Sequence, residues 1–210
     1  MIELRNQVLA TATALLVFSM LGAALLSGTF LATRPAIERS EREAKMKLIA
    51  QTLPADGFDN DPVRDEVPLP VEPLLGLKYP GQAYVAKRHG QPVAVVLEAA
   101  APDGYAGEIR FLIGILSDGT ISGVRVTGHR ETPGLGDYIE TGKSAWIRGF
   151  DGKSLGNPQP VDWKVRKDGG RFDYMAGATI TPRAMIKAVR KALEYFQAHQ
   201  AVLLATPAKE

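Results

Sequence analysis

Two short stretches gather reactive side chains among residues with almost no side chain of their own. In "DYMAGATITPRAM", Asp173–Met185, a threonine hydroxyl at Thr179 follows Ala176, Gly177 and Ala178, just ahead of a helix start. The unpaired N–H groups and positive dipole end of a beginning helix favour an anion, so a phosphate beside that hydroxyl is chemically reasonable. Threonine is also a preferred helix cap, and small residues also serve tight packing, so the residues alone leave both readings open. The second stretch, "GHRETPGLGDYIE", Gly128–Glu140, puts His129, Glu131 and Thr132 beside Pro133, Gly134, Leu135 and Gly136. Such a segment is either a plain Gly/Pro turn or a ligand-facing loop whose glycines admit a planar or anionic ligand to the backbone.

Other chemistries are excluded by what the chain lacks. There is no G-x-S-x-G elbow, H-E-x-x-H helix, P-loop or complete G-x-G-x-x-G, and the fragment "GLG" at Gly134–Gly136 follows a proline rather than a strand. The absence of cysteine removes disulfides, thiolate metal sites and cysteine nucleophiles together, and the three histidines, His89, His129 and His199, are scattered. A net charge of +2 with both signs interspersed leaves no basic footprint for nucleic acid.

The elements that must position these stretches can be read from periodicity. "AYVAKR" and "PVAVVLEAA" predict strands joined at "HGQ", and "GEIRFLIGIL" places Ile109, Phe111, Ile113 and Ile115 on one face. Asp118-Gly119 turns the chain into "TISGVRVTGH", giving a meander of about four antiparallel strands. "VDWKVRK" predicts one more strand. Thr181 as cap, Pro182 at the first helical position, and Ile186, Val189, Leu193 and Phe196 at helical spacing predict a closing helix packed on the sheet. Strands followed by a helix on one face make an α+β domain.

Ahead of that domain lies a membrane anchor. Between Arg5 and Arg34 no residue is charged, and the interval is long enough to cross about 30 Å of hydrocarbon, too long for the apolar region of a signal peptide. "IERSEREAKMKLIAQTL", Ile37–Leu53, predicts a juxtamembrane helix, and the prolines from Pro54 to Pro80 predict an extended, polyproline-like connector. The expected division is therefore anchor at 1–34, helix and connector at 35–80, folded domain at 81–200 and a tail at 201–210. Charge counting sets Arg5 against Arg34, Arg39, Arg42, Lys45 and Lys47, which taken alone keeps the carboxyl-terminal side in the cytoplasm; long domains override that count.

"HRETPGLGD" together with "DYMAGATIT" resembles the G subunit of the Rnf ion-translocating electron transport complex and its relative, the C subunit of the sodium-translocating NADH:quinone oxidoreductase. The resemblance covers the whole chain. It implies an FMN-binding domain on a single N-terminal span in the bacterial inner membrane, facing the periplasm, and working as an electron relay among the other membrane subunits of the complex. It further implies FMN held covalently through a phosphoester to Thr179, with Asp173 as the acidic residue of the attachment motif, Gly177 and Ala178 beside the acceptor, and a flavin transferase as a second partner. His129, Glu131, Thr132, Gly134 and Leu135 are the expected lining of the flavin. Where that family has Ser or Thr before Gly-Ala-Thr, this chain has Ala176. The alternatives are the C subunit of the quinone-reducing complex, or a flavin-free scaffold anchored in lipid in which Thr179 only caps a helix.

Overall fold

The computed structural model describes residues 1–205. The first helix, α1, spans Ile2–Ala50 and runs through Pro35. It contains an 18-residue window of mean hydropathy 2.1, none of it buried, and is the one described helix long and apolar enough to cross a membrane. That fits a single-pass anchor. The chain divides into two compact units, Met1–Ala44 and Lys45–Glu210.

In the second unit, five antiparallel strands follow chain order across one sheet: β1 (Glu66–Leu69), β2 (Gly81–Arg88), β3 (Gln91–Gly104), β4 (Gly107–Leu116) and β5 (Ile121–Gly128). The meander arises because each connection between β2 and β5 is a tight turn, so each strand must fold back on its predecessor. The expected alternation holds: Ile109, Phe111, Ile113 and Ile115 of β4 are all buried on the face that the closing helix, α2 (Ile180–Leu204), covers. Val95, Leu97 and Ala99 of β3 share that core with Met185, Val189, Leu193 and Phe196 of α2.

The opposite face is covered by the chain itself. Ile49 and Leu53, with Leu48, Phe58 and Val63, pack against Tyr84, Ala86, Val96 and Leu112. Gly114 of β4 and Gly123 of β5 are cross-strand partners, and they lie under the backbone of Thr52. A Cβ on Gly114 would come within 2.3 Å of the Thr52 carbonyl oxygen, and one on Gly123 within 3.0 Å of Thr52 Cα. That same carbonyl accepts a hydrogen bond from the Ser122 hydroxyl at 2.5 Å. Thr52, just past the end of α1, is thus seated in a groove that only glycine leaves open.

Three expectations need correction. The run from Pro54 to Pro80 is not simply extended: it turns repeatedly, and Glu66–Leu69 joins the sheet as β1, with Pro68 paired to Gln82. An edge strand tolerates proline because one of its sides has no ladder to donate to. "VDWKVRK" is not a strand but two short 3-10 turns, Pro160–Asp162 and Arg166–Asp168, which bury Trp163 and Val165. The segment spends its backbone groups on itself instead, through Phe172 N–H to the Lys164 carbonyl and Arg166 N–H to the Phe172 carbonyl. The tail expected at 201–210 begins as helix: Ala201–Leu204 belong to α2, with Leu203 buried, and the residues after Ala205 lie outside those described.

The glycine groove makes a stability prediction. Gly114→Ala forces a methyl group into the Thr52 backbone and should cost about 1–3 kcal/mol. Gly142→Ala, where a Cβ meets nothing within 4 Å, should stay close to wild type. Urea unfolding of both variants in detergent, followed by tryptophan fluorescence, measures the difference.

Candidate functional site

The β3–β4 hairpin, the loop after β5 and the start of α2 meet at one end of the domain. They enclose a cleft of about 280 Å³ lined by Tyr105, Glu131, Thr132, Leu135, Gly136 and Gly177–Thr181. Both singled-out stretches therefore contribute to the same cavity, although residues 141–172 separate them in sequence.

The floor is organised by Glu131, only 4 % exposed. Its Oε1 accepts the Ala106 N–H at 3.0 Å from the hairpin turn, and its Oε2 accepts a short hydrogen bond from the Thr181 hydroxyl in the first turn of α2. A buried carboxylate is tolerated only when hydrogen-bonded, and here each oxygen is served by a different segment. Gly136 has to be glycine at this spot: a Cβ would stand 2.7 Å from Glu131 Oε2 and 3.0 Å from Thr181 Oγ1.

Behind the cleft, a charged network holds the loop in shape. Asp137 Oδ1 accepts the Gly134 N–H at 2.8 Å, and Lys143 Nζ reaches Asp137 Oδ2 at 2.7 Å and Glu140 Oε1 at 3.0 Å. The Lys143 ammonium, with the Gly134 N–H, holds the Asp137 carboxyl below the usual carboxylate range. Lys143 and then His129 do the same for Glu140. Lys143 is in turn raised by the two carboxylates. Gly134 itself has φ of 77°, the left-handed region that the turn requires.

Thr179 occupies the N-cap position of α2, yet its hydroxyl makes no capping hydrogen bond. It is half-buried in the cleft wall. Thr181, expected as the cap, lies inside the helix, 1 % exposed, with its hydroxyl committed to Glu131. Pro182 is correspondingly the third helical residue rather than the first. The proline signal marks a helix start to within a turn, and the buried acceptor, invisible in sequence, decided which threonine goes inside.

Of the expected site residues, Glu131, Thr132, Leu135, Gly177, Ala178 and Thr179 line the cleft. His129, Gly134 and Asp173 do not. The His129 ring faces Glu140 and the Glu131 backbone. Asp173 pairs with Arg166 at 2.9 Å, and its carbonyl accepts the Trp146 indole N–H at 2.7 Å. Sequence reasoning missed Tyr105, Gly136, Ile180 and Thr181 in the lining and Asp137 and Lys143 in the support. The hairpin turn that carries Tyr105 gives no hint of which loop it will face, whereas the spacing of Glu140 and Lys143 was a usable sign of an ion pair.

The lining suits a flavin mononucleotide. Leu135, Ile180 and Tyr105 offer apolar surface for a ring system, Thr132 and Thr179 offer hydroxyls for a polar chain, and the first turn of α2 has unpaired N–H groups for a phosphate. Gly177, with φ of 88°, leaves the approach to Thr179 without a side chain.

The charged support carries a pH prediction. Because both carboxyls are depressed in the fold, their contribution to stability is present above the ordinary carboxylate range, about pH 4, and fades as pH falls through their lowered values. Lys143→Met removes the main cause, so thermal melts should show the variant less stable than wild type at pH 7, with the gap closing as pH falls through the lowered range of the two carboxyls.

Comparison with known proteins agrees with this geometry. An FMN-binding domain family model matches residues 104–194, which contain the whole cleft. The chain is 49 % identical over 201 residues to the G subunit of the ion-translocating oxidoreductase complex of Pseudomonas aeruginosa, covering 96 % of this chain and 94 % of the relative. The G subunit of the Vibrio cholerae complex is 45 % identical over 186 residues, 89 % of this chain and 88 % of its own. That of Shewanella loihica is 39 % identical over 205 residues, 98 % and 97 % of the two chains. Similarity of this extent, from the apolar helix to α2, shows that the chain belongs to the family formed by the G subunits of ion-translocating oxidoreductase complexes, with an FMN-binding domain.

Proposed function

We propose that this subunit carries FMN as a phosphoester on Thr179 and relays electrons between redox centres of neighbouring subunits, from a domain held on the periplasmic side of the inner membrane. The observation that carries the reading is the contrast between the two threonines. Thr179 stands in the cleft wall with its hydroxyl free of any cap, whereas Thr181 is buried and bonded to Glu131.

Attachment needs a hydroxyl that a transferase can reach. Exposed Asp173–Gly177 offer such a segment, and Gly177 keeps the path to Thr179 open. The ester would form by attack of Thr179 Oγ on the FMN phosphorus of a flavin phosphoanhydride: an Oγ–P bond would replace the anhydride P–O bond, the hydroxyl proton would pass to a base of the transferase, and the other half of the anhydride would leave as a phosphate monoester anion. Bound FMN supplies the one- and two-electron chemistry that the amino acids lack. The residues around it hold position: Glu131 and Thr181 set the floor, Leu135, Ile180 and Tyr105 offer apolar surface to the ring, and the first N–H groups of α2 balance phosphate charge.

Asp173, outside the lining and exposed beside Arg166, fits a role in recognition by the transferase rather than contact with the ring. Gly134 and His129 act through the shape of the loop. For the membrane side, the uncharged interval from Asn6 to Thr33 forms the single span with the amino terminus inside, the folded domain outweighing the flanking basic residues.

Two experiments test this. In denaturing gels of protein coexpressed with a competent transferase, flavin fluorescence should be present in wild type and absent from Thr179→Ala. Thr181→Ala should keep the fluorescence while losing about 1–3 kcal/mol of stability, because Glu131 is left half satisfied. Fluorescence that survives in Thr179→Ala contradicts the assignment. For topology, a reporter active only in the periplasm and fused after Glu210 should be active; activity of a cytoplasm-only reporter at that position contradicts the orientation.

A further inference from the structure

His129 is placed where a flavin ligand was expected, yet it does not enter the cleft, and its hydrogen bonds say what it does instead. Its Nδ1 accepts the backbone N–H of Glu131 at 3.0 Å, and its Nε2 lies 2.9 Å from Glu140 Oε1. A nitrogen that accepts an N–H carries no proton, so in this arrangement the ring is neutral and its single proton sits on Nε2, donated to Glu140. The side chain is only 12 % exposed, and Glu140 is itself fixed by Lys143. One ring thus joins a braced carboxylate on one side to the backbone of Glu131 on the other.

That backbone bond matters because of what Glu131 carries. Its carboxylate accepts from both the hairpin at Ala106 and the helix at Thr181, so a turn of the Glu131 backbone would move both walls of the cleft. The neighbouring Asp137–Gly134 bond fixes the far end of the same loop but leaves the Glu131 amide untouched. Among the described hydrogen bonds, the Glu131 N–H has the His129 ring as its partner.

We propose that His129 is a positioning residue: its neutral ring, through Nδ1, holds the Glu131 backbone and so sets the width of the cleft between the β3–β4 hairpin and the start of α2. This deepens the FMN reading, but its first test stands without flavin. Asparagine places a side-chain oxygen near the Nδ1 position and keeps the acceptor; glutamine places its amide near Nε2 and leaves Glu131 N–H without one. The two substitutions therefore separate the Glu131 bond from the Glu140 bond.

In full-length protein in detergent, amide hydrogen exchange at Glu131 is measured relative to Ile113 in the sheet core, which corrects for any global loss of stability. The ratio should rise about threefold to tenfold in His129→Gln and stay near wild type in His129→Asn. In protein loaded with FMN, iodide quenching of flavin fluorescence should follow the same order, greater in His129→Gln than in His129→Asn or wild type. A ratio unchanged in His129→Gln, or raised equally in His129→Asn, overturns the proposal. Wild-type protein that takes up no FMN would sink the flavin reading alone, since the exchange ratio still decides the role of His129.

Discussion

The buried carboxylate of Glu131 is the constraint on which the cleft depends. Burying a charge without partners is costly, and each partner here is supplied by a segment remote in sequence: Ala106 from a hairpin, Thr181 from a helix. The carboxylate therefore specifies where those segments meet. Gly136 has no side chain because one would strike Glu131, and Thr181 turns inward because Glu131 needs a donor. Thr179, two residues earlier, is then left at the helix start with its hydroxyl uncommitted in the cleft wall. The free hydroxyl and the satisfied one are two consequences of a single buried interaction.

A similar economy governs the sheet. The five strands need cover on both faces; α2 covers one, and the end of α1 with the turns that follow covers the other. The paired glycines Gly114 and Gly123 let the Thr52 backbone approach so closely that Ser122 can bond its carbonyl. The residues that leave the apolar helix are thereby part of the folded domain's core, with Ile49 fully buried.

Much of this was legible in the sequence. The period-two runs and the tight turns between them identified four of the five strands, because a half-buried pleat leaves a regular mark. The first strand was hidden by its proline, which an edge position permits, and "VDWKVRK" imitated a strand because alternate burial of Trp163 and Val165 arises equally from short turns. Within the site, the small residues around Thr179 drew attention to a hydroxyl that the fold leaves uncommitted in the cleft wall, while helix-start statistics pointed to Thr181 as the cap. No local rule could reveal that Thr181 has a buried acceptor fifty positions away in sequence. The same limit explains His129: its residue type suggested ligand contact, and only the fold shows its two nitrogens occupied by Glu140 and the Glu131 backbone.

The central claim is that one hydroxyl, Thr179, holds the flavin covalently. Cleavage by trypsin after Arg171 and Arg183 isolates Phe172–Arg183, a peptide containing both Thr179 and Thr181. Tandem mass spectrometry of this peptide, from protein coexpressed with its flavin transferase, should find an added mass of one FMN less one water, with fragment ions placing it on Thr179. An unmodified peptide from such protein, or fragments that place the adduct on Thr181, would contradict the account.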